Sequence, residues 1–280
     1  MTLRVVTVAY NPGEEMDIFL SSIPQALHEP YEIVIVNNGE DSSLVSKLAE
    51  KHDATLINAP GNLGYGKAVN LGVEDFTGEW FFVINPDVVL TEHALDELLK
   101  ETSNWPKGAT FGPLTTLSNG DVYPSARHFP RIISGGGHAV LTRLWPGNPF
   151  SRRYQHNDVR YAHQVDWLSG ACLLVRRKAF EDVGCFDPRY FMFFEDVALG
   201  QDFHNAGWMS VFVPSSIIIH DHGASWKSRP EAMIRAHHES AARYIDDVYS
   251  RPWQAPLRWA VRGGLRLRAK MQVRASLKNS

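Results

Sequence analysis

The residues of this 280-residue chain that could do chemistry stand directly after short apolar runs or at the start of a helix. Tyr10-Asn11, Asn37-Asn38-Gly39 and Asn85-Pro86-Asp87 each follow a run of apolar residues that predicts a strand. Polar side chains at the carboxyl ends of parallel strands share one edge of the sheet, which is where such sheets bind ligands. The three segments therefore predict a site of nucleotide size.

A second candidate is the acidic pair Glu195-Asp196, which follows an aromatic run at the predicted start of a helix. A positioned carboxylate can take a proton from a hydroxyl as a general base. The helix dipole favours carboxylates at this end, so the acids could equally serve the helix alone. The same caution applies to Asn37-Asn38-Gly39, a combination that is also typical of a plain turn.

Alternating strands and helices must position these residues. The predicted strands of the first half cover 5–9, 32–36, 54–57 and 80–84, and the predicted helices cover 16–23, 43–51, 66–76 and 91–100. This alternation indicates an α/β fold, with a mostly parallel central sheet covered by helices on both faces. Thr91 is the expected N-cap of the fourth helix.

The pattern weakens between about 115 and 163, where glycines and prolines accumulate and where we expect a long excursion on the acceptor side. Order resumes after residue 165. The further predicted helices cover 177–183 and 194–206, and the further strands cover 209–213 and 217–219. Ser228, Pro230 and Glu231 form a capping signature for a helix that runs to about Tyr249.

Composition narrows the cellular setting rather than the function. Cys172 and Cys185 lie in apolar surroundings without a metal-ligand spacing, and no disulfide framework is indicated, which favours the cytoplasm. The N-terminus runs straight into the first predicted strand, and no apolar run is long enough to span a bilayer. We therefore expect no signal peptide and any membrane contact to be made from the side.

The C-terminal region has a different composition: residues 251–280 hold eight Lys or Arg and no acid. If this region is helical, two rows lie side by side. The apolar row is Leu257, Val261, Leu265, Ala269 and Val273, and the basic row is Arg258, Arg262, Arg266, Lys270 and Arg274. Such an arrangement suits an anionic membrane surface. Docking on the catalytic domain is the alternative, whereas nucleic-acid binding is disfavoured because no nucleic-acid motif accompanies the charge.

Taken in order, these motifs resemble the inverting glycosyltransferase family 2, which has the GT-A fold. The matching segments are Val8 to Asn11, Val36 to Gly39, Asn62 to Gly72, Asn85 to Asp87, Trp167 to Arg177, Val183 to Asp187, Phe191 to Asp196, and His220 with Gly223 and Ser225. The resemblance covers about residues 3–226. Within the family, the chain is most similar to bacterial rhamnosyltransferases that act on lipid-linked N-acetylglucosamine.

The resemblance implies a nucleotide-binding half at about 1–114, an acceptor-side half at about 115–226, and a C-terminal helical extension at 227–280. The implied nucleotide-binding residues are Tyr10, Asn11, Asn37, Asn38, Gly39, Asn62, Gly64, Lys67, Asn70, Asn85 and Asp87. Asp87 and His220 would hold Mn²⁺ or Mg²⁺ against the diphosphate. Asn37 and Asn85 stand where the family usually has Asp.

On the acceptor side, the resemblance implies that Asp196 is the general base and that Glu195 supports it or holds a neighbouring hydroxyl. Trp167 and Gly170 resemble the acceptor-binding loop, although Trp167 is equally compatible with the core. Lys227 and Arg229 would close over the phosphates as a lid. The family continues after the acidic pair with an Asp and an Arg, where this chain has Ala198 and Asp202.

The implied activity is transfer of L-rhamnose from dTDP-rhamnose to polyprenyl-diphospho-N-acetylglucosamine in cell-wall synthesis, at the cytoplasmic face of the membrane. A UDP-sugar donor stays open, as does a homo-oligomeric state. A non-catalytic nucleotide-sugar-binding subunit is a rival, since four motif positions deviate. A sugar nucleotidyltransferase is disfavoured because Tyr10-Asn11-Pro12 replaces a basic Gly-rich loop, and a processive synthase is disfavoured by the lack of spanning helices.

Overall fold

A computed structural model describes residues 3–130, 160–221 and 230–278 of the chain. Residues 131–159 of the predicted excursion lie outside the described residues. The predicted lid residues Lys227 and Arg229, and the motif residues Gly223 and Ser225, lie outside them as well. None of the described helices is both long enough and apolar enough to cross a membrane.

The strands alternate with helices through the first hundred residues, as the sequence predicts. In chain order they are β1 (Leu3–Ala9), β2 (Tyr31–Asn37), β3 (Thr55–Asn58), β4 (Trp80–Ile84), β5 (Val88–Leu90), β6 (Gly108–Thr116), β7 (Val122–Tyr123), β8 (Ala126–Arg127), β9 (His163–Val165), β10 (Trp167–Leu168), β11 (Cys172–Arg176) and β12 (Met209–His220). The helices are α1 (Glu15–Ala26), α2 (Ser43–Lys51), α3 (Tyr65–Val73), α4 (Ala94–Glu101), α5 (Arg177–Asp182), α6 (Glu195–Asn205), α7 (Pro230–Val248) and α8 (Ala255–Lys278).

The large sheet has the strand order β3-β2-β1-β4-β11-β6-β12-β5 within the described residues. Strands β1 to β4 are mutually parallel neighbours, and β6 is parallel to β12. Strand β11 is antiparallel to both β4 and β6, and β5 is antiparallel to β12. The predicted α/β fold with a mostly parallel sheet is confirmed, and β11 is the strand that interrupts it.

Two hydrophobic cores cover the two faces of this sheet, because successive strand residues point to opposite sides. Val5 of β1 packs with α1, α2 and α4 on one face. Its neighbour Val6 packs with α3, α5 and α6 on the other. The predicted helices on both faces are therefore confirmed.

Two local expectations are corrected. Thr91 does not cap α4, because its hydroxyl donates to the Ile217 carbonyl (2.7 Å) and His93 occupies the N-cap position. The two predicted strands at 209–213 and 217–219 are one strand, β12, whose pairing with β6 shifts between Val213 and Ile217. Pro214 stands at this irregularity and has no backbone N–H to donate.

Helices α7 and α8 pack on the acceptor-side half and on each other. Part of the predicted apolar row of α8 turns inward: Val261 joins a cluster with Trp167 and Tyr244, and Val273 is buried, whereas Leu257 is exposed. Of the predicted basic row, Arg262 pairs with Asp246 at 3.0 Å. Packing on the domain, the alternative left open by the sequence, thus accounts for the apolar row.

Candidate active site

The predicted strand-end residues meet at one edge of the sheet. Asn37 ends β2, Tyr10 follows β1, and Asn85 follows β4, and these three parallel strands are consecutive neighbours in the order β2-β1-β4. Asn11 lies beside Gly39, since a Cβ on Gly39 would stand 2.5 Å from Asn11 Oδ1. The sequence expectation that these segments share an edge is confirmed.

Asn37 and Asn38 form different networks at this edge. Asn37 donates to Asn58 Oδ1 (3.0 Å), and its own Oδ1 accepts from the Gly39 N–H (3.2 Å). That oxygen has a second lone pair for a donor on a ligand. Asn38 instead organises the turn before α3: it donates to Asn62 Oδ1 (3.1 Å) and accepts from the Leu63 N–H (2.8 Å). Asn38 and Asn62 therefore hold the turn before α3 in place at this edge of the site.

Gly64 brings the nucleotide side against the acceptor side. Its φ of +83° is in the left-handed region, and a Cβ there would stand 2.1 Å from the carbonyl oxygen of Phe191. The adjacent Tyr65 N–H donates to the same carbonyl at 2.9 Å. Only glycine combines this backbone conformation with so close an approach.

Two other predicted nucleotide residues are placed differently. Lys67 is exposed in the first turn of α3, near the strand-end edge. Asn70 is committed to protein contacts: it donates to the Phe186 carbonyl (2.8 Å) and accepts from the Phe186 N–H (3.1 Å). The direct nucleotide contact expected of Asn70 is corrected to a brace between α3 and the segment before the acidic pair.

A possible metal site lies where β4 and β12 end. Asp87 Oδ1 and His220 Nε2 are 3.0 Å apart, and the His220 ring is buried. A carboxylate oxygen and an imidazole nitrogen suit a transition-metal ion such as Mn²⁺ better than Mg²⁺, which prefers oxygen alone. Among the described residues, the one cluster of three such ligands is His28, His93 and Asp96, near the opposite edge of the sheet. The active-site pair therefore fits a cation that takes its other ligands from a diphosphate.

The proposed base lies beside this pair. The Asn85 N–H donates to the Ala171 carbonyl (2.9 Å), which places the Gly170-Ala171 turn against the end of β4. The Gly170 N–H donates to Asp196 Oδ2 (3.0 Å), and the Val197 N–H donates to Asp196 Oδ1 (2.8 Å). Both carboxylate oxygens are thus held by backbone donors, and the residue keeps partial contact with solvent.

Burial raises the pKa of Asp196, while the Gly170 and Val197 N–H groups and the charge of Arg127 act in the opposite direction. The neighbouring Glu195 is more strongly affected: burial, and then the charge of Asp196, raises its pKa to about 8. Glu195 Oε2 is buried and has no hydrogen-bond partner among the described residues. Because Asp196 accepts two backbone N–H bonds and Glu195 Oε2 accepts none, the proton of the pair favours Glu195 and the charge favours Asp196.

The backbone before the pair is strained. Phe193 and Phe194 both have positive φ, at 65° and 64°, and Phe194 is the N-cap of α6. Each such residue costs about 1 to 3 kcal/mol, and such strain clusters at functional sites. The backbone at these two residues leads into Asp196, whose carboxylate accepts from the Gly170 N–H just before β11.

Sequence reasoning missed two residues at this site. Tyr65 donates its hydroxyl to the Gly170 carbonyl (2.8 Å). Burial, and then the charges of Glu195, Asp196 and, more weakly, Asp87, raise its pKa well above the usual value. Tyr65 therefore braces the Gly170 turn that holds the proposed base, and the charges of both proposed carboxylates act on it. The signal was present, since Tyr65 stands inside the matched Gly64-Gly66 segment.

Arg127 is the other missed residue. Its guanidinium lies 5.2 Å from the ring centres of both Tyr123 and Trp167, and it donates to the Tyr123 hydroxyl (2.7 Å). It is a positive charge near Asp196, in a two-residue strand that no sequence pattern indicates.

Of the predicted acceptor residues, Gly170 lies against the base, and Trp167 does not face the site. The Trp167 ring is only 5% exposed, and its Nε1 donates to the His128 carbonyl at 2.9 Å. The expectation that Trp167 stacks on an acceptor sugar is therefore corrected to a core role that leaves Arg127 on its outer face.

The deviations after the acidic pair are explained by α7. Ala198 packs in the cluster that holds Tyr244 of α7, where a charged side chain would be buried. Burial, and then the charges of Asp187 and Asp247, raise the pKa of Asp202 to about 6. Arg189 joins these two acids, so the arginine of this region comes from the loop before α6 rather than from the helix.

Comparison with known proteins defines the class. The model of glycosyl transferase family 2 matches residues 4–184. The chain is 40% identical over 291 residues to the N-acetylglucosaminyl-diphospho-decaprenol L-rhamnosyltransferase of Mycobacterium tuberculosis, with 99% of this chain and 95% of the relative covered. The chain belongs to glycosyl transferase family 2 and is a glycosyltransferase.

Solved structures confirm the GT-A fold. The mannosyltransferase PcManGT from Pyrobaculum calidifontis, in complex with GDP-Man and Mn²⁺, aligns with a TM-score of 0.62 at 15% identity, covering 99% of this chain and 79% of that one. GalNAc-T7 with UDP, GalNAc and Mn²⁺ aligns with a TM-score of 0.60 at 18% identity, covering 79% of this chain. This chain spans 44% of the GalNAc-T7 chain.

Proposed function

We propose that this glycosyltransferase transfers L-rhamnose from dTDP-L-rhamnose to a hydroxyl of polyprenyl-diphospho-N-acetylglucosamine in cell-wall synthesis. The observation that carries this is the 40% identity, over nearly the whole of both chains, to a rhamnosyltransferase whose name gives that lipid-linked acceptor. The proposal also specifies dTDP as the nucleotide of the donor, for which a UDP-sugar is the alternative. The lipid acceptor places the enzyme at the cytoplasmic face of the cell membrane.

Asp196 is the general base of the proposed reaction. Its carboxylate takes the proton of the acceptor hydroxyl, whose oxygen bonds to the anomeric carbon while the bond from that carbon to the diphosphate oxygen breaks. Attack opposite the leaving group inverts the anomeric centre. The N–H groups of Gly170 and Val197 fix both oxygens of the base, and Tyr65 holds Gly170 in turn.

Glu195 has a different part because it is protonated. Its unpartnered Oε2 is placed to hold a sugar hydroxyl beside the one that reacts. Tyr10 and Asn37 line the base end of the nucleotide site, and Lys67 lies near the diphosphate. Asp87 and His220 would hold a divalent cation, with Mn²⁺ favoured by the imidazole, and this cation offsets the charge that the leaving diphosphate gains.

The test is release of nucleoside diphosphate from dTDP-rhamnose, UDP-glucose and UDP-N-acetylglucosamine, with and without a water-soluble short-chain polyprenyl-diphospho-N-acetylglucosamine. We expect acceptor-dependent release of dTDP that is lost with a chelator and restored by Mn²⁺. Asp87→Asn should lose the Mn²⁺ dependence of dTDP binding, whereas Asp121→Asn, an exposed control, should keep it. Release from a UDP-sugar alone would replace the donor, and dTDP binding without any release would favour the non-catalytic subunit.

A further inference from the structure

Helix α8 carries a second face, which turns to solvent and which includes part of the predicted basic row. The large apolar side chains on and before this helix that point to solvent are Trp253, Trp259, Leu267 and Met271, with exposed fractions of 71%, 69%, 62% and 60%. None of these four belongs to the predicted apolar row, but Leu257, the first member of that row, is also exposed, at 41%. Four such side chains in one segment form more than the scattered apolar exposure that monomers usually show.

The charges around this face have one sign. At about 100° per residue, Leu257, Leu267 and Met271 fall within a sector of about 80°. Arg274 borders that sector on one side, with Lys270, Trp259 and Arg266 following it further round the helix, and Arg268 borders the sector on the other side. Long basic side chains at the borders of an apolar strip can rest their stems on it while their charges reach outward. We define Leu257, Trp259, Leu267, Met271 and these four basic residues as the α8 outer face.

The basic residues of the α8 outer face are not used for internal ion pairs. Arg258 and Arg262, which turn inward, lie near Asp246, at 3.9 and 3.0 Å. Within the part of the chain that the structure describes, Arg266, Arg268, Lys270 and Arg274 form no salt bridge. No acidic residue occurs anywhere in 251–280. The inner charges thus stabilise the fold, and the outer ones are exposed to solvent.

The α8 outer face is connected to the acceptor side of the active site. His237 of α7 packs against the rings of Phe193 and Phe194, which directly precede the acidic pair. Burial, and then the charges of His238 and Arg268, lower the pKa of His237, so α8 passes close to this contact. A partner docked along α8 would therefore lie near α7 and, through it, near the turn that precedes Asp196.

We propose that the α8 outer face docks the enzyme on an anionic phospholipid bilayer, with α8 parallel to the surface. The charge of the face complements an anionic leaflet, and Trp, Leu and Met side chains enter the headgroup boundary in such helices. The helix spans roughly 36 Å at 1.5 Å per residue, which offers an extended contact. This inference rests on the proposed function, since a lipid-linked acceptor gives the docking its purpose.

The experiment is sedimentation of the full-length protein with phosphatidylcholine vesicles, with and without phosphatidylglycerol, in the absence of donor and acceptor. We expect binding only to the anionic vesicles, weakening with salt. Each basic residue near such a surface contributes roughly a fivefold affinity. The variant Arg266→Gln/Lys270→Gln/Arg274→Gln should therefore bind about a hundredfold more weakly. The charge-matched control Lys47→Gln/Lys100→Gln/Lys107→Gln alters exposed lysines elsewhere and should bind like wild type.

The apolar contribution has its own pair of variants. Leu267→Gln/Met271→Gln should weaken vesicle binding by at least tenfold, because both side chains lose apolar burial. Ile18→Gln/Leu44→Gln, which changes exposed residues of α1 and α2, should not. Equal binding by the α8 variants and their controls would overturn the proposal. A second result would also overturn it: the wild-type protein does not bind vesicles, and Leu267→Gln/Met271→Gln changes the mass measured by light scattering. The α8 outer face would then be a contact between copies of the chain.

Transferase assays separate this proposal from the proposed function. With a water-soluble short-chain acceptor the α8 variants should turn over like wild type, and with a long-chain acceptor in anionic vesicles their KM should rise. Normal turnover of both acceptors by the α8 variants would refute the docking proposal and leave the proposed transferase function intact. Vesicle binding that needs the α8 outer face, without any sugar transfer, would sink the transferase and leave the docking standing.

Discussion

Replacing Glu195 by Gln should stabilise the protein, and the gain should increase with pH. Glu195 is buried with an unpartnered Oε2, and its pKa of about 8 in the fold exceeds the ordinary value of 4.5. Between these values the folded state keeps a proton that the unfolded chain has lost. The folded state therefore becomes less stable as pH rises through this range, and glutamine, which mimics the neutral acid, removes that cost.

The size of the effect follows from the same shift. Each pH unit over which the two states differ by one proton changes the free energy of unfolding by about 1.36 kcal/mol. Between pH 5 and pH 8 the gain therefore has a ceiling of about 4 kcal/mol. Because the titrations of Glu195 and Asp196 are coupled, part of this difference belongs to Asp196, and we expect a gain of about 2 kcal/mol.

Urea unfolding of wild type and Glu195→Gln at pH 5 and pH 8 measures this difference. The exposed Glu239→Gln, on α7, serves as the matched control and should show no pH-dependent gain. A Glu195→Gln variant whose stability relative to wild type is the same at both pH values would refute the assignment of a neutral buried acid. A loss of stability at pH 8 would refute it more strongly, because it would mean that the charged form is favoured.

Two further perturbations test the contacts around the base. Gly64→Ala should lower the free energy of unfolding by about 3 kcal/mol or more, since its Cβ would meet the Phe191 carbonyl at 2.1 Å in addition to the left-handed backbone cost. Gly184→Ala, with the same positive φ and open space, should lose only about 1 kcal/mol, and equal melting temperatures of the two variants would contradict the clash. Arg127→Gln should shift the rise of kcat/KM with pH upward, because a positive charge that favours ionised Asp196 is gone; an unmoved profile would remove Arg127 from the site.

Much of the sheet could be predicted because its early strands are short, largely apolar and followed by polar residues. The run Trp80 to Ile84 is buried at every position, and its bounds agree with the prediction. The direction of each strand could not be predicted in the same way. A strand that is buried on both faces is apolar throughout, so its sequence does not distinguish a parallel from an antiparallel neighbour. For this reason the antiparallel insertion of β11 between β4 and β6 was not foreseen.

The sequence motifs identified which residues belong to the site. They could not show which of these residues face a ligand, because tertiary contacts determine that. Asp196 and Gly170 are joined across 26 residues by one hydrogen bond, which no local pattern encodes. Trp167 and Asn70 stand inside matched segments, yet packing commits one to the core and the other to a brace. On α8, both faces of the helix carry apolar residues, so periodicity alone could not decide which face turns inward.

The most direct test of the account is single-turnover transfer by Asp196→Asn, measured with dTDP-rhamnose, Mn²⁺ and the short-chain acceptor. General-base catalysis contributes about 10²- to 10⁴-fold in rate. We predict a loss of at least a thousandfold in the transfer rate, while dTDP binding in the presence of Mn²⁺ stays within about twofold of wild type. Transfer by Asp196→Asn at a rate near that of wild type would contradict the assignment of Asp196 as the base.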